Sequence, residues 1–525
     1  MKKANEAGAP FGRRQWRLLW LTGSVVAGVL AACGGSPGTS VSPAPPRLAA
    51  TAVKSGPQAP TLPGTTYTVV NLDAADSSGS PFINSNNQVA FTAARNLVGH
   101  AGFFDGDRVR EIGSFRGAES SAAALNDAGQ VVGVATNAAG ASVGFRWTQA
   151  GGMVSLGTLG AAVLYPRAIN RLGQVAGTAN TTGRNRIPRA FFWSDAGGAR
   201  DLGTLGGAGG SFGQAINDAG TVVGTSLAAD GVNHGVAWYA DGVMIDLGLY
   251  GGLYSSVNLV NNAGQVGGVL QLAGTGGLGI HGFVWSKAGG MRDVGTLGGD
   301  YSYLAAMNDA GQVTGVSRPD CAGCLHAITW SAAEGLTDLG TLGGANSGAA
   351  GINRHGEVVG WSESDSASSN NFHAFVWIKG QGMVDLNQRI PNAPAGLNLT
   401  TALAISDSGA IVADSNIGLV LLLPGDKGTD APLVGPITPD GVVRVHKPIP
   451  FAVTFSDRNS GDRHSATWYW NDGCGLDAVS KVQGPGTLRA NHTFCREGEF
   501  WVTVKVTDST GRSTTVGRTV MAYGE

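Results

Sequence analysis

Histidine and aspartate recur at fixed positions along much of the chain, and both side chains can serve acid–base or metal chemistry. Five of the nine histidines stand four residues before a tryptophan or, in one case, a phenylalanine: His100, His234, His281, His326 and His373. Five aspartates share a second recurring position: Asp201, Asp246, Asp293, Asp338 and Asp385. A ring of histidines would suit a metal ion or a general base, and converging carboxylates would suit glycoside hydrolysis.

The residues that replace these side chains elsewhere argue against such chemistry. Val143 and Arg189 stand at the histidine position, and Glu111 and Ser155 stand at the aspartate position. A group that reacts or binds metal could not be exchanged for valine or serine. We therefore predict that both sets make hydrogen bonds of strands and turns, and we predict no catalytic residue, no metal ligand and no cofactor. The sequence also has no His-Glu-x-x-His motif and no Walker loop.

The recurring positions belong to a longer repeat, whose clearest copy is Ile216–Gly224. Its asparagine recurs about every 45 residues, with a serine in the eighth copy: Asn84, Asn126, Asn170, Asn217, Asn261, Asn308, Asn353 and Ser406. A period near 45 with short apolar runs predicts an all-β propeller or solenoid. Each copy contains four strands, a to d. Strand a ends at the asparagine, strand b is Val-Val-Gly, strand c carries the histidine and tryptophan, and strand d ends at the aspartate. Asn217 and Gly220 predict a tight a–b turn with glycine at positive φ.

The segment His373–Trp377, His-Ala-Phe-Val-Trp, has partial copies at His234–Trp238, His281–Trp285 and His326–Trp330. These residues resemble the family of extracellular repeats named for its His-Ala-Phe motif. The resemblance covers residues 67–424 and implies a β-propeller.

The two ends of the repeat region are complementary. The last copy has no strand d, while an extra d-like strand, Tyr67–Leu72, precedes the first copy. Pairing that strand with the last copy would close the ring and protect its sheet edges. We predict eight four-stranded blades, with seven as the alternative. The b–c and d–a loops then share one face, where binding is expected. The variable b–c loops are Thr178–Pro188, Gln271–Ile280, Arg318–Leu325 and Ser362–Phe372.

The carboxyl-terminal region has a different pattern. Phe451–Phe455, Ala466–Trp470 and Trp501–Thr507 alternate as strands of a small sandwich. Trp468–Gly473, His492–Phe494 and Val502–Asp508 resemble the polycystic-kidney-disease (PKD) domain. The resemblance covers residues 432–525 and implies an immunoglobulin-like β-sandwich that serves as a binding or spacer module.

The amino terminus has the pattern of an export signal. Residues 1–17 carry five basic residues and one acid, and the uncharged run Leu18–Leu30 is too short to span a membrane. Leu30-Ala31-Ala32-Cys33 resembles the bacterial lipobox, which implies a signal peptide over residues 1–32 and a lipid anchor on Cys33. The same resemblance, with Gly34 after the cysteine, implies the outer membrane, facing either the periplasm or the cell surface. An ordinary signal peptide is the alternative. Residues 33–66, rich in Ser, Pro, Gly and Ala, read as a disordered tether.

Four cysteines remain after Cys33, and they allow three pairings. We favour disulfides Cys321–Cys324 and Cys474–Cys495, which suit an oxidising compartment. Zinc bound by Cys321, Cys324 and His326 is the alternative, although a second ligand pair is missing.

Composition narrows the function classes. The chain has 525 residues with 84 glycines, a net charge of −2 and only 14% charged residues. Nucleic acid is therefore not an expected partner. We expect a monomeric, non-catalytic surface lipoprotein whose propeller binds an extracellular protein or glycan. The alternatives are an enzyme that acts on polysaccharide at the channel mouth and a purely structural envelope scaffold.

Overall fold

The structure is a computed structural model that describes residues 65–72, 79–95, 98–160, 162–180, 187–273, 279–321, 323–364, 371–391, 393–394, 396–425, 432–439, 441–456, 463–474, 478–483, 486–509 and 513–524. These residues form β-strands and one 3₁₀ turn, η1 (Leu386–Arg389), so the protein is all-β. Within these ranges no helix is long and apolar enough to cross a membrane. The predicted signal peptide, Cys33 and nearly all of the tether lie outside the described residues.

The described residues of the repeat region form thirty-three strands. The first is β1 (Thr66–Asn71). Sheet one contains β2 (Phe82–Ile83), β3 (Val89–Arg95), β4 (Val98–Phe104) and β5 (Val109–Glu111). Sheet two contains β6 (Arg116–Leu125), β7 (Val131–Asn137), β8 (Ser142–Thr148) and β9 (Gly152–Ser155). Sheet three contains β10 (Thr158–Leu159), β11 (Ala162–Ile169), β12 (Val175–Asn180), β13 (Pro188–Ser194) and β14 (Gly198–Asp201). Sheet four contains β15 (Gly206–Ile216), β16 (Val222–Ala228), β17 (Asn233–Trp238) and β18 (Met244–Asp246).

The next sheets repeat this arrangement. Sheet five contains β19 (Tyr254–Val260), β20 (Val266–Gln271), β21 (Ile280–Ser286) and β22 (Gly290–Asp293). Sheet six contains β23 (Gly298–Met307), β24 (Val313–Pro319), β25 (His326–Ser331) and β26 (Gly335–Asp338). Sheet seven contains β27 (Ser347–Ile352), β28 (Val358–Glu363), β29 (Phe372–Ile378) and β30 (Gly382–Asp385). Sheet eight contains β31 (Leu399–Ile405), β32 (Ile411–Ser415) and β33 (Gly418–Gly425), together with β1.

Each sheet is built from consecutive antiparallel strands, as the four-strand repeat predicts. The turn between the first two strands of sheet four closes at Gly220 with φ of 77°, and Asn87 takes the same role in sheet one with φ of 58°. Glycine reaches this left-handed conformation at no steric cost, and asparagine tolerates it best of the other residues. The turn chemistry read from the sequence is therefore confirmed at these positions.

The first strand of the region completes the last sheet. β1 pairs antiparallel with β33, with Thr68 opposite Leu423 and Val69 opposite Leu422. The sequence predicted this pairing for Tyr67–Leu72, one residue later than the strand that forms. Tyr67 and Val69 are buried with Val420 and Leu422 in one apolar cluster, which fixes the register of the joint.

The repeated asparagines link the sheets in a chain. Each asparagine donates from Nδ2 to the backbone carbonyl oxygen at the same position of the next sheet, over 2.9–3.3 Å, beginning with Asn84 to Asn126 and ending with Asn353 to Ser406. Ser406 then donates from Oγ to Asn87 Oδ1 of sheet one at 2.8 Å. All eight side chains at this position are buried, so each bond is shielded from water.

The strand that ends at this position is called here the leading strand of its sheet: β2, β6, β11, β15, β19, β23, β27 and β31. Each leading strand contacts those of the two neighbouring sheets, and β31 contacts β2. Apolar clusters lie between successive sheets; one of them joins Ala124 and Val132 of sheet two to Leu164 and Phe191 of sheet three. The eight sheets therefore contact one another in cyclic order.

Residues 433–523 form a separate two-sheet sandwich. One sheet contains β34 (Leu433–Thr438), β36 (Ile449–Ser456) and β39 (Gly486–His492). The other contains β35 (Gly441–Arg444), β37 (Arg463–Tyr469), β38 (Ala478–Gln483), β40 (Gly498–Thr507) and β41 (Ser513–Tyr523). The core between them includes Phe451, Trp468, Trp470 and Phe494. The three strands expected from the sequence are present as β36, β37 and β40. Each begins earlier than predicted, and β37 ends at Tyr469, one residue before the predicted end.

The sandwich packs against sheet one and the joint with sheet eight. Trp501 of β40 is 6% exposed and lies in a cluster with Val70, Phe91 and Val109. Asp107 accepts a hydrogen bond from the Tyr469 hydroxyl at 3.3 Å and pairs with Lys505 at 2.5 Å. The carboxyl-terminal sandwich is thus docked through both apolar and charged contacts.

Two features of the sheets were not expected from the repeat. The two-residue strand β10 adds a fifth strand to sheet three, because Thr158–Leu159 folds back onto β11. Sheets five and six are joined by a single parallel pair, Ile280 opposite Tyr301. The first departure occurs in the segment that connects sheet two to sheet three, and the second occurs between β21 and β23.

Candidate functional site

The recurring histidines and acids are partners of each other. Nδ1 of the histidine lies 2.8–3.0 Å from the carboxylate twelve residues later in four sheets: His234–Asp246, His281–Asp293, His326–Asp338 and His373–Asp385. His100 makes the same contact with Glu111 at 2.9 Å. The histidine begins the third strand of its sheet and the acid ends the fourth, so antiparallel pairing brings them together.

The acid of each pair also holds the turn that follows it. Asp246, Asp293 and Asp338 each accept, through Oδ1, the backbone N–H of the glycine two residues later at 2.7–2.8 Å. In sheet three the pair is Arg189 with Asp201, 3.9 Å apart. The exchange of histidine for arginine keeps a side-chain nitrogen beside a carboxylate, and the pairs are cross-strand links. This pairing was not predicted from the sequence. The signal for it is the constant separation of twelve residues between each of the four histidines and its aspartate.

A set of buried serines supplies a further link between sheets that sequence reasoning missed. Each accepts through Oγ the backbone N–H that follows the histidine position of the preceding sheet: Ser120, Ser211, Ser255, Ser302 and Ser347. Ser211 lies in a Gly-x-Ser-x-Gly sequence, the pattern of a hydrolase nucleophile elbow. However, Ser211 is fully buried within β15 and donates to the Gly203 carbonyl oxygen at 2.7 Å. Its environment is that of a structural serine.

The four variable b–c loops are only partly described. Residues 181–186, 274–278, 322 and 365–370 of these loops lie outside the described residues. Most connections from one sheet to the next, on the same side, are described, except residues 73–78, 161, 392 and 395. A leucine N–H of the connection donates to a serine Oγ in three sheets: Leu205 to Ser226, Leu297 to Ser317 and Leu342 to Ser362.

The connection into sheet five breaks this rule. Leu270 is fully buried at the place of the anchoring serine. The connection has a different sequence, Leu249–Leu253, and it leaves Tyr250 56% exposed and Leu253 53% exposed. An aromatic and an aliphatic side chain are therefore displayed on the loop-bearing side, next to Tyr254.

Aromatic side chains are concentrated on a few leading strands. We call this set the aromatic arc: Tyr165 on β11, Phe212 on β15, Tyr254 on β19, and Tyr301 and Tyr303 on β23. The leading strands β6, β27 and β31 carry no aromatic residue. Tyr165, Phe212 and Tyr303 occupy the same repeat position, since each pairs with the third residue after the valine that begins the opposing strand. The arc thus lies on sheets three to six; β2 of sheet one carries Phe82, two residues before the repeated asparagine rather than five or seven.

The arc is a connected set across sheets five and six. Asn258 Nδ2 donates to the Tyr303 hydroxyl at 3.4 Å, and the Arg318 guanidinium lies 5.6 Å from the centre of the Tyr301 ring. Arg318 also pairs with Asp300 at 3.1 Å. Burial, and to a smaller extent Tyr303 and Tyr254, raise the pKa of Tyr301 to about 12, against the opposing effect of Arg318. These residues therefore act on one another electrostatically.

Polar side chains accompany the arc at a repeated bulge of the leading strand. One extra residue interrupts the register two positions after Tyr165 and Phe212, and it is Arg167 in sheet three, Gln214 in sheet four and Asn258 in sheet five. The same bulge holds Ala123, Ala305, Ala350 and Leu403 in sheets two, six, seven and eight. A bulge re-aims its side chain, and the polar residues occur only where aromatic ones are near.

The four cysteines form the two favoured disulfides: Cys321 bonds to Cys324, and Cys474 bonds to Cys495. Because both sulfurs of the first pair are in a disulfide and His326 Nδ1 faces Asp338, the alternative zinc site is not formed. Across the part of the chain that the structure describes, no group of three or more histidine, cysteine or acidic side chains could hold a metal ion.

The sandwich contains one buried histidine–aspartate pair. His492 Nε2 lies 2.7 Å from Asp472 Oδ2, and the imidazole stacks on Trp470 with 4.3 Å between ring centres. Asp472 also accepts the backbone N–H of Cys474 at 3.1 Å. The pair closes the end of the core next to the disulfide, where it stabilises the fold.

Comparison with known proteins identifies only the carboxyl-terminal part. Residues 429–522 match the PKD domain family. Comparison with curated proteins gave no match.

Three solved structures show weak similarity. The PKD domain of an M14-like peptidase from a Thermoplasmatales archaeon is 17% identical, over 18% of this chain and 92% of that domain, with a TM-score of 0.16. TolB from Acinetobacter baumannii is 9% identical over 69% of this chain and 63% of its own, with a TM-score of 0.30. The extracellular domain of a hybrid two-component system from B. thetaiotaomicron is 10% identical over 85% and 68%, with a TM-score of 0.27. These TM-scores are too low to assign a fold to the repeat region. Residues 429–522 are a PKD domain.

Proposed function

We propose that residues 67–424 form an eight-bladed β-propeller of the His-Ala-Phe repeat family, held at the outer membrane by a lipid on Cys33. The propeller is a non-catalytic scaffold that binds an extracellular protein or glycan on the side of the b–c and d–a loops. The PKD domain is a fixed second module beside it.

The observation that carries this proposal is the uneven distribution of variation between the two sides of the sheets. The a–b turns are uniform, since each buried asparagine, or Ser406 in the last sheet, is used in a link to the neighbouring sheet. The loop-bearing side, by contrast, has connections of different sequence, a disulfide at Cys321–Cys324 and an exposed Tyr250. A rigid scaffold with variable loops on one side is a common design for binding proteins.

Eight blades rather than seven are supported by the cyclic links. Seven asparagine bonds and the Ser406–Asn87 bond connect eight sheets in order. β1 supplies the outer strand of the last sheet. Export is supported by the two disulfides, which form and persist in oxidising compartments.

The binding proposal is tested with the full chain purified in detergent, screened on a glycan array and in pull-downs from envelope extracts. Binding that is lost on substitution within the loop-bearing side, and unchanged by substitution in the a–b turns, would support the proposal. Empty results in both screens would favour a structural scaffold instead. For the anchor, Cys33→Ser should release the protein from membranes, and unchanged membrane association would refute lipidation at this residue.

A further inference from the structure

The aromatic arc breaks the repeat in a way that the fold does not require. Sheets two, seven and eight pair, bulge and link to their neighbours without aromatic side chains on their leading strands. Ser121 of sheet two, Gly348 of sheet seven and Thr401 of sheet eight stand where Phe212 stands in sheet four. Because the strand also forms with serine or glycine there, the fold does not require an aromatic residue at this position.

The arc lies on the more exposed face of its strands. Alternation places Tyr254, Ser256 and Asn258 on one face of β19, while the intervening Ser255 and Val257 are fully buried. On β15 the same alternation exposes Phe212 to 39% beside fully buried Ser211. A phenylalanine exposed to this extent, on a strand whose neighbouring leading strands carry Tyr165 and Tyr254, indicates a binding surface.

The polar groups of the arc are hydrogen-bonding groups with little net charge. Gln214 and Asn258 are neutral amides, and Arg318 is paired with Asp300. Arg167 is exposed at the end of the arc in sheet three. Aromatic faces combined with a few fixed donors and acceptors recognise molecules that have apolar faces and hydroxyl edges. Sugar rings have this character, whereas a polyanion would need a stronger positive field.

The position of the arc limits the shape of its ligand. The leading strands are those that contact one another around the cycle of sheets. Tyr254 pairs with Gln271 at the loop-bearing end of sheet five, so the arc begins at the proposed binding side. A narrow chain can follow residues on successive leading strands more easily than the broad surface of a folded protein.

We propose that the aromatic arc binds a linear, neutral polysaccharide, with successive sugar rings against Tyr301, Tyr254 and Phe212. Gln214 and Asn258 hydrogen-bond to sugar hydroxyls between the rings. Tyr250 lies at the edge of the arc and extends it toward the loops. This inference rests on the proposed binding function and specifies its ligand class and its residues.

The test is affinity electrophoresis of the full chain in detergent, in native gels that contain laminarin, xyloglucan, dextran or galactomannan. The wild-type protein is retarded by at least one of these. Phe212→Ala and Tyr301→Ala weaken that retention about tenfold each, the effect of losing one aromatic contact. Tyr301→Phe keeps the ring and stays within about threefold. The matched control is Ser121→Ala, at the position of Phe212 on a sheet without the arc, and it leaves retention unchanged.

Thermal unfolding of each variant shows whether it is folded. Phe212→Ala is expected to fold even if Tyr301→Ala does not, because the Phe212 side chain is already partly exposed. Retention that is the same in wild type, Phe212→Ala and Tyr301→Ala would overturn the arc while leaving glycan binding in place. No retention on any of the four gels, with capture of an unstructured peptide from a displayed library that Tyr301→Ala abolishes, would replace the polysaccharide by a peptide. No retention and no peptide capture would overturn the arc, and empty envelope pull-downs would then remove the proposed function as well.

Discussion

Ser406 donates its hydroxyl hydrogen to Asn87 Oδ1 at 2.8 Å, although 319 positions of sequence separate the two residues. This bond joins the last sheet of the repeat region to the first. It completes the series of links that the asparagines make between all the other neighbouring sheets. Each sheet is therefore stabilised by both of its neighbours. We expect the removal of one link to lower the free energy of unfolding of the whole repeat region.

Replacing one linking asparagine should lower the free energy of unfolding. Asn308 donates to the Asn353 carbonyl oxygen and accepts from the backbone of Gln312, and it is 6% exposed. Asn308→Ala leaves buried backbone groups without partners, so we expect a loss of about 1–3 kcal/mol. Urea unfolding followed by tryptophan fluorescence measures it.

The control for that substitution is Arg171→Ala. Arg171 is 70% exposed, and its ion pair with Asp218 lies at the surface. Surface pairs contribute little, so the unfolding midpoint should stay almost unchanged. Equal effects of Asn308→Ala and Arg171→Ala would show that the asparagine links carry no special stability.

The joint between β1 and β33 should weaken at alkaline pH. Burial, and to a smaller extent Glu357, raise the pKa of Tyr67 to about 12, against the opposing effect of Arg389. Since the folded-state pKa lies above the unfolded value of about 10, this stabilisation is complete below pH 10. It is lost as the pH rises from 10 to 12.

Tyr67→Phe tests this dependence because it keeps the ring and removes the proton. The free energy of unfolding of the variant should fall less steeply between pH 10 and pH 11.5 than that of the wild type, by about one proton. Tyr523→Phe, at an exposed tyrosine of the sandwich, is the control and should follow the wild type. Parallel curves for wild type and Tyr67→Phe would contradict the role of burial at this joint.

The PKD domain should unfold together with the repeat region. Trp501 is buried against sheet one with Phe91 and Val109, and Lys505 pairs with Asp107. We expect a single calorimetric transition in the wild type and two separated transitions in Trp501→Ala, because a large apolar contact is replaced by a cavity. Val442→Ala, at a residue of the sandwich that is 63% exposed, should keep one transition. Two transitions already present in the wild type would argue against docking.

The strand order and the pairing of β1 with β33 could be predicted from the sequence because they depend on a period and on a missing strand at one end. The turn at Gly220 could be predicted because it depends on local backbone chemistry. The pairing of His326 with Asp338 was missed, since it requires the register of two strands rather than the type of either residue. The docking of Trp501 could not be predicted, because its apolar partners Phe91 and Val109 lie 410 and 392 positions away in sequence and no local pattern encodes that contact.

The aromatic arc was also missed at the level of sequence. The repeat is recognised from the residues that all copies share, whereas the arc consists of residues by which a few copies differ. Tyr165, Phe212 and Tyr303 become comparable only when the register of each leading strand is known.

Closure of the sheets is tested most directly by a disulfide across the joint. Thr68 and Leu423 are opposite one another in the antiparallel pair of β1 and β33, so their Cα atoms lie within reach of a disulfide, at about 4.5–5.5 Å. In the full chain exported with Thr68→Cys and Leu423→Cys, peptide mapping by mass spectrometry without reductant should find these two cysteines joined. The control pair Thr68→Cys and Val420→Cys, three positions out of register, should remain unjoined. Free thiols at both Thr68→Cys and Leu423→Cys would show that the ends do not meet and would contradict the closed arrangement of eight sheets.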